Sequence, residues 1–250
     1  MILEKTMSER WLSNSWLVAD KPGGHGVIID TGGPREALLQ RVRDDRLTIT
    51  HILNTHHHHD HVAENLAWHA ETSAPVLAHP SEREWIAGCE DTIEDGAELT
   101  SGALTVRVLH IPGHTVGQLA FLVTIQGESV GVFTGDTLFK GSIGGNRGPG
   151  HTTFEDLRGS IMETLFGLPH ETRILPGHME PSTLAAEWEQ NPFVRAFRGL
   201  DPPGDEAVTV RGKPARLRLE ARDYDGGTKA WVVLDGVDAV VPGSAVKRGG

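Results

Sequence analysis

The stretch Thr55-His56-His57-His58-His59-Asp60-His61 sets three imidazoles and a carboxylate in the order His-x-His-x-Asp-His. Neutral imidazole and carboxylate are the ligand types that suit zinc and similar divalent ions. Asp60-His61 fixes the register, so His56 and His58 are the pattern's other histidines. His57 and His59 are expected to point away, into packing or supporting hydrogen bonds. One short loop cannot close two metal sites, so partners must come from elsewhere. They are His114 in Ile111-Pro112-Gly113-His114, Asp136 in Gly135-Asp136-Thr137, and His178 in Pro176-Gly177-His178. A biased histidine tract or tag remnant would not be followed by Asp-His and two distant Pro-Gly-His triplets. His25, His69, His79 and His110 read as structural or solvated residues, and Cys89, with acids around it, is a poor nucleophile.

The elements around these residues decide whether they can meet. Ser15–Ala19 and Gly26–Asp30 read as strands, and a helix runs from Pro34 to about Asp45. His51–Asn54 is a short strand that delivers the histidine loop, followed by a helical pattern from Val62 to about Ala70. Pro75–Ala78 is a further strand, and Pro80 is expected to start a helix ending at Gly88. Three strands follow, at Leu104–Leu109, Gln118–Ile125 and Ser129–Thr134. A helix spans Phe154–Phe166, Arg173–Leu175 is a strand, and Thr183–Gln190 is a helix ended by Asn191-Pro192. Each candidate ligand therefore sits just after a strand, where loops on a rigid scaffold carry chemistry. After Leu200 the texture changes. Asp201-Pro202-Pro203-Gly204 is a linker, and four short β runs follow it: Ala207–Val210, Ala215–Ala221, Lys229–Leu234 and Ala239–Val241. The chain thus divides into a catalytic domain over residues 1–200 and a linker plus small β-rich module over 201–250. That module is a candidate for homodimerisation or for covering the site.

Composition excludes several functions. The net charge is −11, from 23 basic and 34 acidic side chains, whereas a binder of nucleic-acid backbone is normally basic. No stretch reaches the roughly 18 apolar residues of a membrane span. The N-terminus carries charges where a signal peptide needs an apolar core, and a single cysteine fits a reducing compartment, so a cytoplasmic enzyme is expected.

The order His56-x-His58-x-Asp60-His61, His114, Asp136, His178 resembles the metallo-β-lactamase superfamily. Within it the chain is similar to the short form of the glyoxalase II (hydroxyacylglutathione hydrolase) branch. Gly135-Asp136-Thr137-Leu138-Phe139, Gly141-Ser142-Ile143-Gly144 and Asn191-Pro192-Phe193 carry that likeness, which covers about residues 12–198. The resemblance implies an α+β fold, an αββα sandwich, here with a β-rich C-terminal appendage. It implies two divalent ions, zinc first and iron or manganese as alternatives. His56, His58 and His114 would hold one ion and Asp60, His61 and His178 the other, with Asp136 bridging and Asp30 buttressing the site.

Such a pair lowers the pKa of bound water toward about 7 and provides hydroxide at neutral pH. Asp60 and Asp136 are then the catalytic carboxylates, Asp60 orienting the water. A thioester's leaving thiolate needs no acid, because thiols have a pKa of only about 8.5, so the expected substrate is a small acyl-thiol such as S-lactoylglutathione. Glyoxalase II enzymes usually carry a basic residue where this chain has Gly145; Arg147 and Lys140 are the substitutes for binding the thiol's carboxylates. The same superfamily offers a mononuclear-iron persulfide dioxygenase, using His56, His114 and Asp136, and lactone or β-lactam hydrolases.

Overall fold

The computed structural model describes residues 1–249. Strand β1 (Ile2–Met7) forms a hairpin with β2 (Asn14–Ala19), and β3 (His25–Ile29) adds antiparallel to β2. Helix α1 (Arg35–Asp44) then crosses over to β4 (Thr48–Leu53), parallel to β3. The short α2 (His59–Val62) and α3 (Asn65–Thr72) lead to β5 (Val76–Ala78) and β6 (Cys89–Thr92), completing a six-stranded mixed sheet in the order β1-β2-β3-β4-β5-β6.

The second sheet starts with the meander β7 (Glu98–Ser101), β8 (Leu104–His110), β9 (Leu119–Ile125) and β10 (Glu128–Gly135). A two-residue hairpin, β11 (Leu138–Phe139) with β12 (Ser142–Ile143), and α4 (Phe154–Gly159) precede β13 (Arg173–Pro176), which lies parallel to β10. The edge strand β14 (Ser182–Thr183), α5 (Leu184–Gln190) and α6 (Pro192–Phe197) follow. Asn191 caps α6, its side chain accepting from the backbone N–H groups of Phe193 and Val194, with Pro192 at the first helical position.

Alternating apolar residues account for the layering. Trp16, Val18, Val27, Ile29 and Leu53 of the first sheet face Val106, Val108, Phe121, Phe133 and Leu175 of the second in one buried cluster. The opposite face of the first sheet is covered by Leu38, Leu39 and Val42 of α1 and Trp68 of α3. The opposite face of the second is covered by Phe154 and Leu157 of α4 and by Phe193, Val194 and Phe197 of α6. The result is the expected αββα sandwich, the metallo-β-lactamase fold, with a β-rich C-terminal part.

Three local expectations change. Pro80–Gly88 is no helix but carries one 3₁₀ turn at Arg83–Trp85, because Glu82 turns inward and is fully buried. The helix beginning at Phe154 continues from Ser160 to Leu165 with a wider, π-helical turn. The C-terminal part has five strands: β15 (Glu206–Val210), β16 (Lys213–Arg222), β17 (Thr228–Leu234), β18 (Val237–Pro242) and β19 (Val246–Arg248). They form a sheet with its own small core around Val208, Leu217 and Val232. That sheet also shares the large core, since Val240 is buried with α4 and α6 and Trp231 stacks on Phe154 at 5.0 Å. Among the described residues no helix is long and apolar enough to cross a membrane.

Candidate metal centre

Each candidate ligand comes from a segment that follows a strand's end, Asp60 and His61 from the short α2 after β4. β4 ends at Leu53 ahead of His56, β8 at His110 ahead of His114, β10 at Gly135 ahead of Asp136, and β13 at Pro176 ahead of His178. These ends gather on one edge of the sandwich. Three sets of ligand atoms fall within 4.8 Å of one another: His56, His58 and His114; His56, His61 and Asp136; and Asp60, His61 and His178. All seven expected residues are therefore brought together. Asp136 stands between the groups, with Oδ1 3.3 Å from His61 Nε2, and Oδ2 3.2 Å from His178 Nε2 and 3.7 Å from His114 Nε2.

The outward nitrogens reveal which ring atoms carry protons. Thr55 Oγ1 donates to Asp30 Oδ2 and so accepts from His56 Nδ1 at 3.0 Å. His114 Nδ1 donates to Gly145 O at 2.7 Å, and His58 Nε2 to Pro149 O at 3.1 Å. Those protons leave bare lone pairs on His56 Nε2, His58 Nδ1 and His114 Nε2. Yet His58 Nδ1 lies 3.0 Å from His56 Nε2 and 2.9 Å from His114 Nε2. Three lone pairs with no proton between them repel, and such a cluster is stable around a cation. His61 repeats the pattern, with Nδ1 on Asp30 at 2.9 Å and Nε2 directed at Asp136 and His178. Asp136 Oδ1 is buried without a hydrogen-bond partner. The donor set thus fits two divalent ions.

The electrostatics agree. Burial lowers the pKa of His56 and of His58, and takes His114 down to about 3 against the pull of Asp136, so these rings are neutral ligands at pH 7. Burial raises the Asp136 carboxyl, but His178 and His61 outweigh it and hold that group well below the usual carboxylate range. Burial likewise depresses His61, while Asp136 and Asp30 more than offset it and raise its pKa.

Supporting residues fix the loops. Asp30 accepts from Thr55 N and Thr55 Oγ1, both at 2.8 Å, as well as from His61, which bears out its expected buttressing position. His57 turns away as expected: its backbone N–H (3.0 Å) and Nδ1 both donate to Glu82, and its ring meets Trp85 at 4.3 Å. His59 packs edge-on against Trp11. The N-terminal hairpin holds the last ligand loop. Asn14 N donates to Gly177 O at 2.7 Å, Asn14 Nδ2 to Pro176 O at 3.0 Å, and Lys5 Nζ to Met179 O at 2.7 Å. Glycine at 177 is required by close approach, since a Cβ there would lie 2.4 Å from Asp136 Oδ1.

Arg147 and Lys140 are both exposed. Arg147 precedes Gly148, whose Cβ position would be 3.6 Å from the His58 ring. Gly145 is approached by the C-terminal sheet: a Cβ there would sit 3.3 Å from Val240 O.

Sequence reading missed two residues. Glu82 carried no signal, being one of several acids between Pro80 and Asp95. Tyr224 did carry one, as the only tyrosine in the chain, set in an Asp-Tyr-Asp-Gly-Gly turn. Its ring stacks on His178 at 4.4 Å between centroids and 14° between planes. Burial, reinforced by Asp136, Asp223 and Asp60, pushes its phenol up, so the hydroxyl is neutral at working pH.

Fold and site together define a histidine–carboxylate metal centre at the rim of a two-sheet sandwich. The chain belongs to the metallo-beta-lactamase superfamily, whose pattern it matches over residues 9–178, and so to a superfamily of metallo-hydrolases. It is 32% identical to the hydroxyacylglutathione hydrolase of Rhodospirillum rubrum over 214 residues, 83% of this chain and 79% of that one. ETHE1 from Myxococcus xanthus superposes with a TM-score of 0.69 at 27% identity, over 81% of this chain and 92% of that one. TTHA1623, solved in a di-iron-bound form, gives 0.63 at 33% identity, over 77% and 100%.

Proposed function

We propose that the protein is a dinuclear metal-dependent hydrolase that cleaves thioesters of small thiols, S-acylglutathione-like in chemistry. The observation that carries this is the run of three overlapping ligand groups, with Asp136 standing between His61, His114 and His178. His56, His58 and His114 would hold one divalent ion and Asp60, His61 and His178 the second, zinc first and iron or manganese as alternatives. Bound there, the ions would supply Lewis acidity toward a carbonyl oxygen and bring the pKa of water to roughly 7.

The chain's own groups do the rest. Asp60 keeps 24% of its side chain exposed and places Oδ2 3.6 Å from both His61 and His178, so it can orient an incoming water and accept its proton. The leaving thiolate needs no proton donor, given a thiol pKa of about 8.5. Arg147 and Lys140, exposed on loops after Asp136, are the cations available to a substrate's carboxylates. The 32% identity to a hydroxyacylglutathione hydrolase supports this choice of substrate class. The single cysteine suits a cytoplasmic enzyme.

The test is metal analysis of the purified protein alongside hydrolysis of S-lactoylglutathione. Two zinc ions per chain with turnover, abolished in Asp136→Ala, is the expected result. One iron per chain with oxygen consumption on a persulfide would overturn it.

A further inference from the structure

Metal-ligating histidines normally donate their second ring N–H to a carboxylate, carbonyl or hydroxyl, which fixes both tautomer and ring plane. Four of the five histidines here obey that rule, through Thr55, Pro149, Asp30 and Gly145. His178 does not: its Nδ1 is buried without a hydrogen-bond partner. A flat surface can hold the plane of such a ring, and His178 has one. Tyr224 lies face to face with it at 4.4 Å and 14°, while Phe139 meets its edge at 5.8 Å and 73°.

Tyr224 is itself held firmly. It sits in the turn between β16 and β17, which closes through Asp223 N donating to Gly227 O at 3.0 Å. Asp223 accepts from Ser142 Oγ at 2.8 Å, on the β11–β12 hairpin of the catalytic sandwich. Its other oxygen pairs with Lys229 Nζ at 3.0 Å, and Lys229 is buried and lies 5.4 Å over the Tyr224 ring. A buried lysine–aspartate pair is costly to break, so the turn has little freedom to withdraw.

We propose that Tyr224 is a positioning residue for His178, so that the C-terminal sheet governs how tightly the ion held by Asp60, His61 and His178 is bound. The stacked ring takes the place of the missing hydrogen bond. The inference rests on the two-ion reading of the site but not on the choice of thioester, because it concerns metal affinity alone.

The experiment is zinc titration of the full-length metal-free protein in competition with a chromophoric chelator, with circular dichroism to check folding. Loss of a supporting partner of a metal ligand costs about 10- to 100-fold in affinity. Tyr224→Ala should therefore keep one zinc at wild-type affinity and bind the second at least about tenfold more weakly. Tyr224→Phe retains the ring and should hold both ions within about threefold of wild type. Two ions bound by Tyr224→Ala as tightly as by wild type would overturn the proposal. So would equal weakening of both ions, or a Phe variant as weak as Ala. Should Tyr224→Ala not fold, Tyr224→Leu fills the volume without a flat face, and wild-type affinity in that variant would likewise refute the role. A wild-type protein that binds fewer than two zinc ions would remove the two-ion reading itself, an outcome distinct from an unaltered Tyr224→Ala.

Discussion

Replacing Glu82 by Gln tests whether one buried carboxylate registers two ligand loops against each other. Glu82 is fully buried; Oε2 accepts from the backbone and ring of His57, and Oε1 accepts from Gly117 N at 2.7 Å. It thus ties the His56–His58 loop to the loop carrying His114. The structural cost of burial is outweighed by these bonds, above all the one from His57, and the carboxyl's pKa stays below its ordinary value. Gln has the same shape, but one of its two ends is an NH2 group that cannot accept. Either Gly117 N–H or the His57 donors then face a donor. An unsatisfied buried N–H costs about 1–3 kcal/mol, and losing charge assistance on the remaining bonds adds about 1 kcal/mol. A loss of about 3 kcal/mol in a chain of this length lowers Tm by about 6–12 °C. Zinc affinity at His56, His58 and His114 should fall by about 10- to 100-fold. Calorimetric melting of the metal-free protein and chelator-competition titration measure the two effects. A Tm within about 2 °C of wild type, together with unchanged zinc affinity, would refute the reasoning.

The two Pro-Gly-His glycines should fail differently. A Cβ at Gly177 meets Asp136 Oδ1 at 2.4 Å and His61 Cε1 at 2.8 Å, so Gly177→Ala should lose zinc and hydrolytic activity while still folding. Gly113 has φ +143° and its Cβ would lie 2.5 Å from Leu157 Cα in α4, so Gly113→Ala should chiefly lower the melting temperature; equal phenotypes would count against this division. For the metal-free protein, the lowered pKa values of His56, His58 and His114 mean that the unfolded chain binds protons the folded chain refuses. Stability should then drop as pH falls from about 6.5 toward 3, by up to about 1.4 kcal/mol per pH unit for each such proton. His61 opposes this, because its raised value stabilises the fold at low pH and that contribution is lost as pH rises through it. Three groups against one leave a net loss on acidification, and urea unfolding between about pH 4.5 and 7.5 that showed no such decline would contradict the assignment.

The clustering of the candidate ligands was legible in the sequence because each comes from a short local pattern that follows a strand, and metal chemistry restricts which residue types can stand there. The sandwich was legible for a related reason, since Val106-Arg107-Val108 shows period-two burial and Val27-Ile28-Ile29 is a short apolar run buried on both faces of its sheet. What escaped were residues whose roles depend on distant partners. Glu82 lies in the Pro80–Gly88 segment that the sequence reads as a helix, and its partners His57 and Gly117 are 25 and 35 residues away. That inward turn also explains why Pro80 opens no helix. Tyr224 is 46 positions beyond His178, and no local periodicity records a stack across that gap.

The hold of Asn14 and Lys5 on the loop of His178 spans more than 160 residues of chain. Contacts of such separation form late, because the entropy of closing the loop is lost before they reward it. On a ribosome, His56, His58, His114 and Asp136 have all emerged before His178, and Tyr224 appears later still. The residues proposed for the first ion are thus all translated before His178, which completes the set proposed for the second.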